Sequence, residues 1–572
     1  MRLLIEKYKY DPSVLNDLGI PDEWRLETQD GKQSIDKVGY YRPTPTEVSK
    51  KASEPVFILP KIFEGDKYVF GTIPIIDLAT ETTQKVFKQH PEGQRYLEWL
   101  YRFSFHLYIS LRTYRQRNKE TVITKKVHFQ NIVANTPDDE TSELELVLNI
   151  LEFYRNNHDL IVFTEKQNQS QRFRKTNWAK TIRTQQPFFT TNKEPVYLNT
   201  VEKQRHRNDD DELLKIFYSA LSHFKKTYGF RIDIQTSYTL FEKIDTPSVS
   251  AQLARRLKAL KNVYFADRFR KLLHLLLLYF QRLSEARTQK GGKEYLLCHH
   301  YHHVFEDMVD ALLSDEEMDK RLKYQSDGKI VDHLFSHQSL FAPNDIWYIG
   351  DSKYYKDTTT YGDNPIWKQH TYAKNIIQYN INLFNKKEYE KLKGRYRDTL
   401  TEGYNVTPNF FIQAFVHDDD LFKTDPDFKF DTDNKKPQLN FHFENRLFDR
   451  DTLSIHHFKI NFLYVMRSYI MQDHAKRLDF KDKAIKTIRK EVLKFYNKEY
   501  EFFQITFEDT QTLNRFVTTH FKELNGKIYK TSDDDNKLWL ALIKDENYIR
   551  ENTTILNLFT NAAVSLEAIK LK

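Results

Sequence analysis

The chain has 572 residues, room for roughly three to four ordinary domains or two large ones. Lys and Arg number 88 against 80 Asp and Glu, a formal charge of +8 that permits a nucleic-acid partner without demanding one. Hydrophobic residues at 40% supply real cores; 15 Gly and 17 Pro exclude a collagen-like or linker-dominated chain, and the single Cys298 excludes an intrachain disulfide framework and a multi-cysteine zinc module.

The start, MRLLIEKYKYDPS, carries charge where a secretory signal needs an apolar core. The longest apolar run, 272–280 (LLHLLLLYF), falls far short of the ~20 residues that span a bilayer, so a cytoplasmic protein is expected. Residues 55–63 (PVFILPKIF) and 68–70 read as strands, and 102–115 and 144–154 as amphipathic helices. A polar stretch, 167–207, holds Arg172, Arg174, Lys175, Lys180 and Arg183 with Trp178 among them. These cations suit DNA phosphates or an acidic partner surface, and equally an ordinary solvated loop. The charged run 208–212 caps a helix over 213–226. Residues 248–283 are helical in pattern, with Arg255, Arg256, Lys258 and Lys261 on a helix exterior, and 287–293, with Gly291-Gly292, reads as a loop.

The second half follows the order helix 302–313, strand 329–335 (KIVDHLF), strand 346–350 (IWYIG), helix 367–384, strand 410–416. That is the skeleton of a compact α/β unit. Residues 457–471 mix strand and helix signals. The tail adds helix 481–497, strand 501–507 and helix 510–523, enough for a small domain of its own.

The most informative segment is 346–356, IWYIGDSKYYK. An apolar strand delivers Asp351, and Lys353, two residues on, shares its face. The strand before it carries Asp332, and the helix 302–313 carries Glu306. Converging carboxylates suit Mg²⁺, which takes hard oxygen ligands, and a lysine beside them can orient water and offset charge developing on phosphate. Acid-x-Lys alone has little weight, because Asp30/Lys32, Asp427/Lys429, Asp433/Lys435, Asp479/Lys481 and Asp535/Lys537 repeat it. Asp351/Lys353 differs in ending an apolar strand with a second acid-bearing strand upstream. The plain alternative is a strand-end ion pair on a solvated face.

At these residues the chain resembles the PD-(D/E)xK nuclease core, with Val331 where the motif usually has Pro. KQHTY at 368–372 resembles the glutamine–tyrosine helix that follows the lysine strand in several such enzymes, although many members space the pair one residue wider. EKYKYD near the start, VGYY at 38–41, VFILPKIF at 56–63, NWAKTI at 177–182, HHVFEDM and HFKINFLYVMRSYI at 457–470 resemble LlaJI-type restriction endonucleases, which are similar to the McrC nuclease subunit of McrBC systems. The likeness spans about residues 1–475; the tail lies outside it.

The resemblance implies an α/β (α+β) nuclease core with a central mixed sheet flanked by helices. It implies Mg²⁺-dependent cleavage of double-stranded DNA, with Mn²⁺ as a substitute, by Asp332, Asp351 and Glu306 as metal ligands and Lys353 as the positioning cation, with Gln369 orienting a backbone or phosphate group. It also implies a separate GTP-hydrolysing AAA+ partner docked on the N-terminal half. The expected division is 1–240 for docking, 248–475 for the nuclease and 476–572 as an extension. Independently, the Gly-Lys pairs at 31–32, 292–293, 328–329 and 526–527 are followed by Gln, Glu, Ile and Ile, so no GK[ST] phosphate loop is present and any motor is another polypeptide. An adaptor with a degenerate nuclease fold, a stand-alone nuclease reading DNA with its tail, and a repair nuclease remain open.

His299, His300, His302 and His303 surround Cys298. Cys298 and His302 have helical i, i+4 spacing, which makes zinc conceivable, but no second Cys or distant His pair accompanies them. An exposed helix start near the DNA groove is the preferred account.

Overall fold

The computed structural model describes residues 1–43, 54–65, 68–69, 72–117, 123–125, 143–157, 160, 163–170, 176–208, 211–286, 294–315, 320–325, 330–355, 363–388, 396–417, 423–432, 437–440, 444–471, 473–532, 535–562 and 564–571. It is a mixed α/β protein, as expected. The expected strand near 56 is β3 (Val56–Leu59). It lies between β1 (Arg2–Ile5) and β2 (Lys37–Arg42), parallel to the first and antiparallel to the second. The helices α1 (Gly93–Arg117) and α2 (Glu143–Asn156) follow, separated in sequence by the short strand β4 (Ile123–Lys125).

The polar stretch is not simply a loop. β5 (Phe163–Ser170) and β6 (Thr200–Arg207) pair antiparallel along their full length, with α3 (Trp178–Thr184) between them. Asn177 caps α3 by accepting from the Lys180 N–H, and the buried Thr181 hydroxyl accepts from the Val201 N–H at 2.9 Å. Arg172, Arg174 and Lys175 lie outside the described residues, whereas Lys180 and Arg183 are on α3. Then come α4 (Glu212–Tyr228), capped by Asp211, and the pair α5 (Pro247–Ala259) and α6 (Asp267–Ala286). The loop expected at 287–293 lies outside the described residues.

Cys298 is on a strand, β7 (Glu294–His299), not at a helix start. β7 lies in the range assigned to the nuclease, yet it pairs with β2 and β4, giving the five-stranded order β1-β3-β2-β7-β4. The extended conformation sends Cys298 into the core and undoes the i, i+4 relation to His302.

Next come α7 (His302–Leu313), β8 (His333–Gln338), β9 (Asp345–Lys353), α8 (Asp363–Asn385), β10 (Asn409–Phe415), β11 (Phe428–Phe430), β12 (Gln438–Asn440) and β13 (Leu453–Asn461). They form the second sheet, ordered β8-β9-β10-β13-β11 with β12 also on β13. β9, β10 and β13 run parallel; β8 closes antiparallel on β9. Ile346, Trp347, Tyr348 and Ile349 are all buried, the continuous apolar run of a strand covered on both faces. In α7, Val304, Phe305, Met308, Val309, Leu312 and Leu313 form one buried stripe, leaving Glu306 and Asp310 on the other side.

The mixed signals at 457–471 resolve into the end of β13 and α9 (Phe462–Met471). The tail begins with α10 (His474–Glu499), whose Phe480, Ile488, Val492 and Tyr496 join the main core. A four-stranded antiparallel sheet and its own apolar cluster around Ile505, Leu513, Leu540 and Phe559 follow.

Gly350 has a steric reason. A Cβ there would lie 2.5 Å from the Phe410 ring and 3.3 Å from the His333 Cβ. Gly350→Ala should therefore lower stability by about 1–3 kcal/mol through overpacking. Urea unfolding reads this; an unchanged midpoint would refute the tight crossing.

Candidate active site

The C-terminal end of β9 opens into a cleft of about 1060 Å³ lined by Glu306, Asp332, Asp351, Lys353 and also Lys368 and Tyr372. Ligand clefts at the carboxyl ends of parallel strands are a general feature of α/β sheets. Asp351 and Lys353 alternate with Ser352 along β9 and share one face, where Lys353 Nζ pairs with Asp351 Oδ2 and lies 5.0 Å from the Phe411 ring centroid.

Asp332 is reached differently from expectation. The strand expected at 329–335 begins only at His333, and Asp332 sits on the bend before it. The reason is upstream: the Val331 N–H donates to the Lys323 carbonyl at 3.0 Å and Ile330 bridges Tyr324, so this segment follows a short helical turn rather than β9. What fixes the carboxylate is the Ser352 N–H, which donates to Asp332 Oδ2 at 3.2 Å. Asp332 and Asp351 line the same cleft, close enough for each carboxyl to act on the other. Burial, then Asp351, then Glu306 push the Asp332 carboxyl well above the usual aspartate value, against the opposing pull of Lys353. Burial alone would lower the Lys353 ammonium, but Asp351 and Asp332 outweigh it and hold it above the usual lysine value.

Behind this pair runs a buried polar chain that sequence reading missed. His333, directly after Asp332 and fully buried, hydrogen-bonds through Nε2 to the Ser352 hydroxyl. Its Nδ1 lies 3.8 Å from Asp310 Oδ1, one helical turn beyond Glu306 on α7. Asp310 also pairs with Lys323; burial would raise its carboxyl, but His333 and Lys323 bring it down to about 2. His333 and Ser352 thus pin the two chain positions that carry these carboxylates.

Glu306 lines the cleft, but its carboxylate is grouped with His302 and His303, and His303 Nδ1 lies 3.0 Å from Glu306 Oε2. Gln369 does not line the cleft. It is fully buried, and its Nε2 donates to Asn409 Oδ1 at 2.6 Å and to the Ile349 carbonyl at 3.4 Å, so it braces α8 against β9 and β10. The flanking residues of that helix face the cleft instead: Lys368 Nζ lies 5.4 Å from the Tyr372 ring centroid. Their i, i+4 spacing around Gln369 was the available signal. The N-terminal half contributes Lys7 and Lys61 to the same cleft. Lys180 and Arg183 do not line it.

Asp332, Asp351 and Glu306 bring hard oxygen donors to one cleft, a donor set that fits a hard divalent cation.

The class of the protein follows from comparison with known families. Residues 103–433, more than half of the chain, match the model of the LlaJI restriction endonuclease, which makes it a DNA endonuclease of a restriction system. The chain belongs to the LlaJI restriction endonuclease family. The matched span includes Glu306, Asp332, Asp351 and Lys353, and leaves out both the opening motifs and the segment 457–470. No curated protein matches the chain.

Because the folded Asp332 holds its proton more tightly than the unfolded chain does, its ionisation disfavours the fold increasingly as pH rises above about 3.9 toward the raised native value. Asp332→Asn should therefore stabilise the chelator-treated protein at pH 7, by about 1 kcal/mol. Added Mg²⁺ should stabilise the wild type only, closing the gap. Equal melting of both proteins in chelator would refute the repulsion.

Proposed function

We propose that this chain is the Mg²⁺-dependent nuclease subunit of a bacterial restriction system, hydrolysing phosphodiester bonds in double-stranded DNA together with a separate GTP-hydrolysing subunit. The observation that carries the reading is the meeting of Asp332, Asp351 and Lys353 in one cleft. It is the arrangement that the resemblance to the PD-(D/E)xK nucleases, McrC-type subunits among them, calls for.

Asp332 and Asp351 would hold Mg²⁺, or Mn²⁺ in its place, which when bound supplies positive charge to a phosphodiester and acidity to water. Glu306 would reach that ion through water, given its pairing with His303. Lys353 keeps its proton at neutral pH and so serves as a donor rather than a base, orienting the attacking water and offsetting charge on a non-bridging phosphate oxygen. Lys7, Lys61 and Lys368 give the cleft walls further cations for the DNA backbone. Gln369 acts at a distance, by holding the Ile349 carbonyl two residues before Asp351.

The partner reading rests on two features. The sequence has no GK[ST] loop. The arm formed by β5, α3 and β6 exposes Trp178, Ile182, Phe188, Phe189 and Leu198, a grouping of large apolar side chains suited to a protein surface. Residues 1–240 would dock the GTPase, with Lys180 and Arg183 beside that patch; 248–475 would cut; 476–572 would brace the nuclease from behind, where Lys481 pairs with Asp315 at 2.7 Å.

Plasmid digestion with and without Mg²⁺, GTP and the product of the adjacent gene tests the reading. Cleavage is expected only when all are present. Asp332→Ala and Lys353→Ala should each slow it on the order of 10²–10³-fold. Unimpaired cutting by both variants would move the chemistry elsewhere. Cutting with Mg²⁺ alone favours a stand-alone enzyme, and no cutting under any combination favours an adaptor.

A further inference from the structure

We propose that His302, His303 and Glu306 form a second metal site, specific for a borderline transition-metal ion such as Zn²⁺, on the wall of the same cleft. Each of the three offers a ligand atom, and these atoms all lie within 4.8 Å of one another. They come from positions i, i+1 and i+4 of α7, so the helix itself presents them together. The His302 and His303 ring centroids are 4.0 Å apart, and His303 Nδ1 already meets Glu306 Oε2 at 3.0 Å.

The donor set decides the kind of ion. Two imidazoles and one carboxylate suit Zn²⁺, Co²⁺ or Ni²⁺, whereas Mg²⁺ prefers oxygen alone. The start of α7 disfavours a cation weakly through its dipole, and the Glu306 carboxylate offsets this locally. Three protein donors leave coordination positions open toward the cleft, where phosphate oxygens would fit.

A neighbouring group, Asp36 with His299 and His300, is similarly compact. Its carboxylate is already engaged by Lys7 at 3.3 Å, and it does not line the cleft. That leaves the α7 group as the better site. The inference does not depend on cleavage, because binding alone reads it.

Equilibrium dialysis of the chelator-treated full chain against Zn²⁺, with Mg²⁺ in excess to fill any hard-cation site, is the test. Wild type should take up a single equivalent. His302→Ala and His303→Gln should weaken uptake on the order of 10–100-fold while melting like wild type. Asp332→Asn and the double variant His299→Gln/His300→Gln should keep it, and Co²⁺ should give a visible absorption band that the His302 and His303 variants lose. No uptake by wild type, or equal uptake by the His302 and His303 variants, would overturn the proposal. So would loss on Asp332→Asn, which would assign the ion to the acidic pair. Loss of cleavage in Asp332→Asn with Zn²⁺ uptake intact leaves this site standing and the nuclease reading separately judged.

Discussion

Two carboxyl groups of like charge, Asp332 and Asp351, are pressed together at the end of one strand, and the surrounding architecture exists to keep them there. Left to themselves, buried like charges separate, or one of them takes a proton. Burial first, and then Asp351, raise the Asp332 carboxyl well above the usual aspartate value. Lys353 relieves part of this conflict, and Lys368 on α8 also feels both carboxylates, while Glu306 adds a further carboxylate nearby. Strain of this kind is characteristic of functional sites rather than of the core.

The supports act on backbone more than on side chains. Asp332 is not held by strand pairing, because β8 starts one residue later. The Ser352 N–H substitutes for that pairing. The Ser352 hydroxyl then meets His333, and His333 faces Asp310 on α7, so three elements are linked through positions adjacent to the carboxylates. On another side the Gln369 amide donates to both Asn409 Oδ1 and the Ile349 carbonyl, and Asn409 Nδ2 donates back to the Gln369 carbonyl. Gly350 allows β8 and the Phe410 ring to approach closely between these two braces. His333, Gln369 and Asn409 are fully buried and polar, which makes the geometry specific: a small displacement would leave a buried hydrogen-bonding group without its partner.

What the sequence disclosed divides along the same physical line. Local signals carried the elements whose periodicity is strong: α7 has the expected bounds, and the apolar run at 346–349 is the buried part of β9. Asp351 and Lys353 were legible because alternation along a strand is a local rule. Asp332 lines the cleft but does not lie on the strand that KIVDHLF suggests; the turn made by Val331 with Lys323 is a tertiary event that no local pattern encodes. Cys298 was read as helical because its strand partners are more than a hundred residues away in sequence. His333 and Asp310 escaped notice for a similar reason. A buried histidine next to an acid is unremarkable until the fold brings Ser352 to its other nitrogen.

The expected division near residue 248 meets a structural fact at the cleft. Tyr354, directly after β9, donates its hydroxyl to Glu6 Oε2 at 2.7 Å, and the Lys61 N–H donates to the same carboxylate at 3.2 Å. Lys61 Nζ lies over the rings of Tyr354 and Tyr355, at 4.8 and 5.7 Å from their centroids. Burial, opposed by Tyr354 and Lys61, raises the Glu6 carboxyl, so this knot is held by shape and hydrogen bonds together. Glu6 follows β1 and Lys61 follows β3, the two parallel strands of the N-terminal sheet. The sheet that would sit nearest a docked partner therefore ends one residue from Lys353. A shift of β1 against β3 would strain the contact between Glu6 and Tyr354. On the proposed reading, such a shift would need only differential binding to two arrangements of one hydrogen-bonded contact to couple docking with cutting.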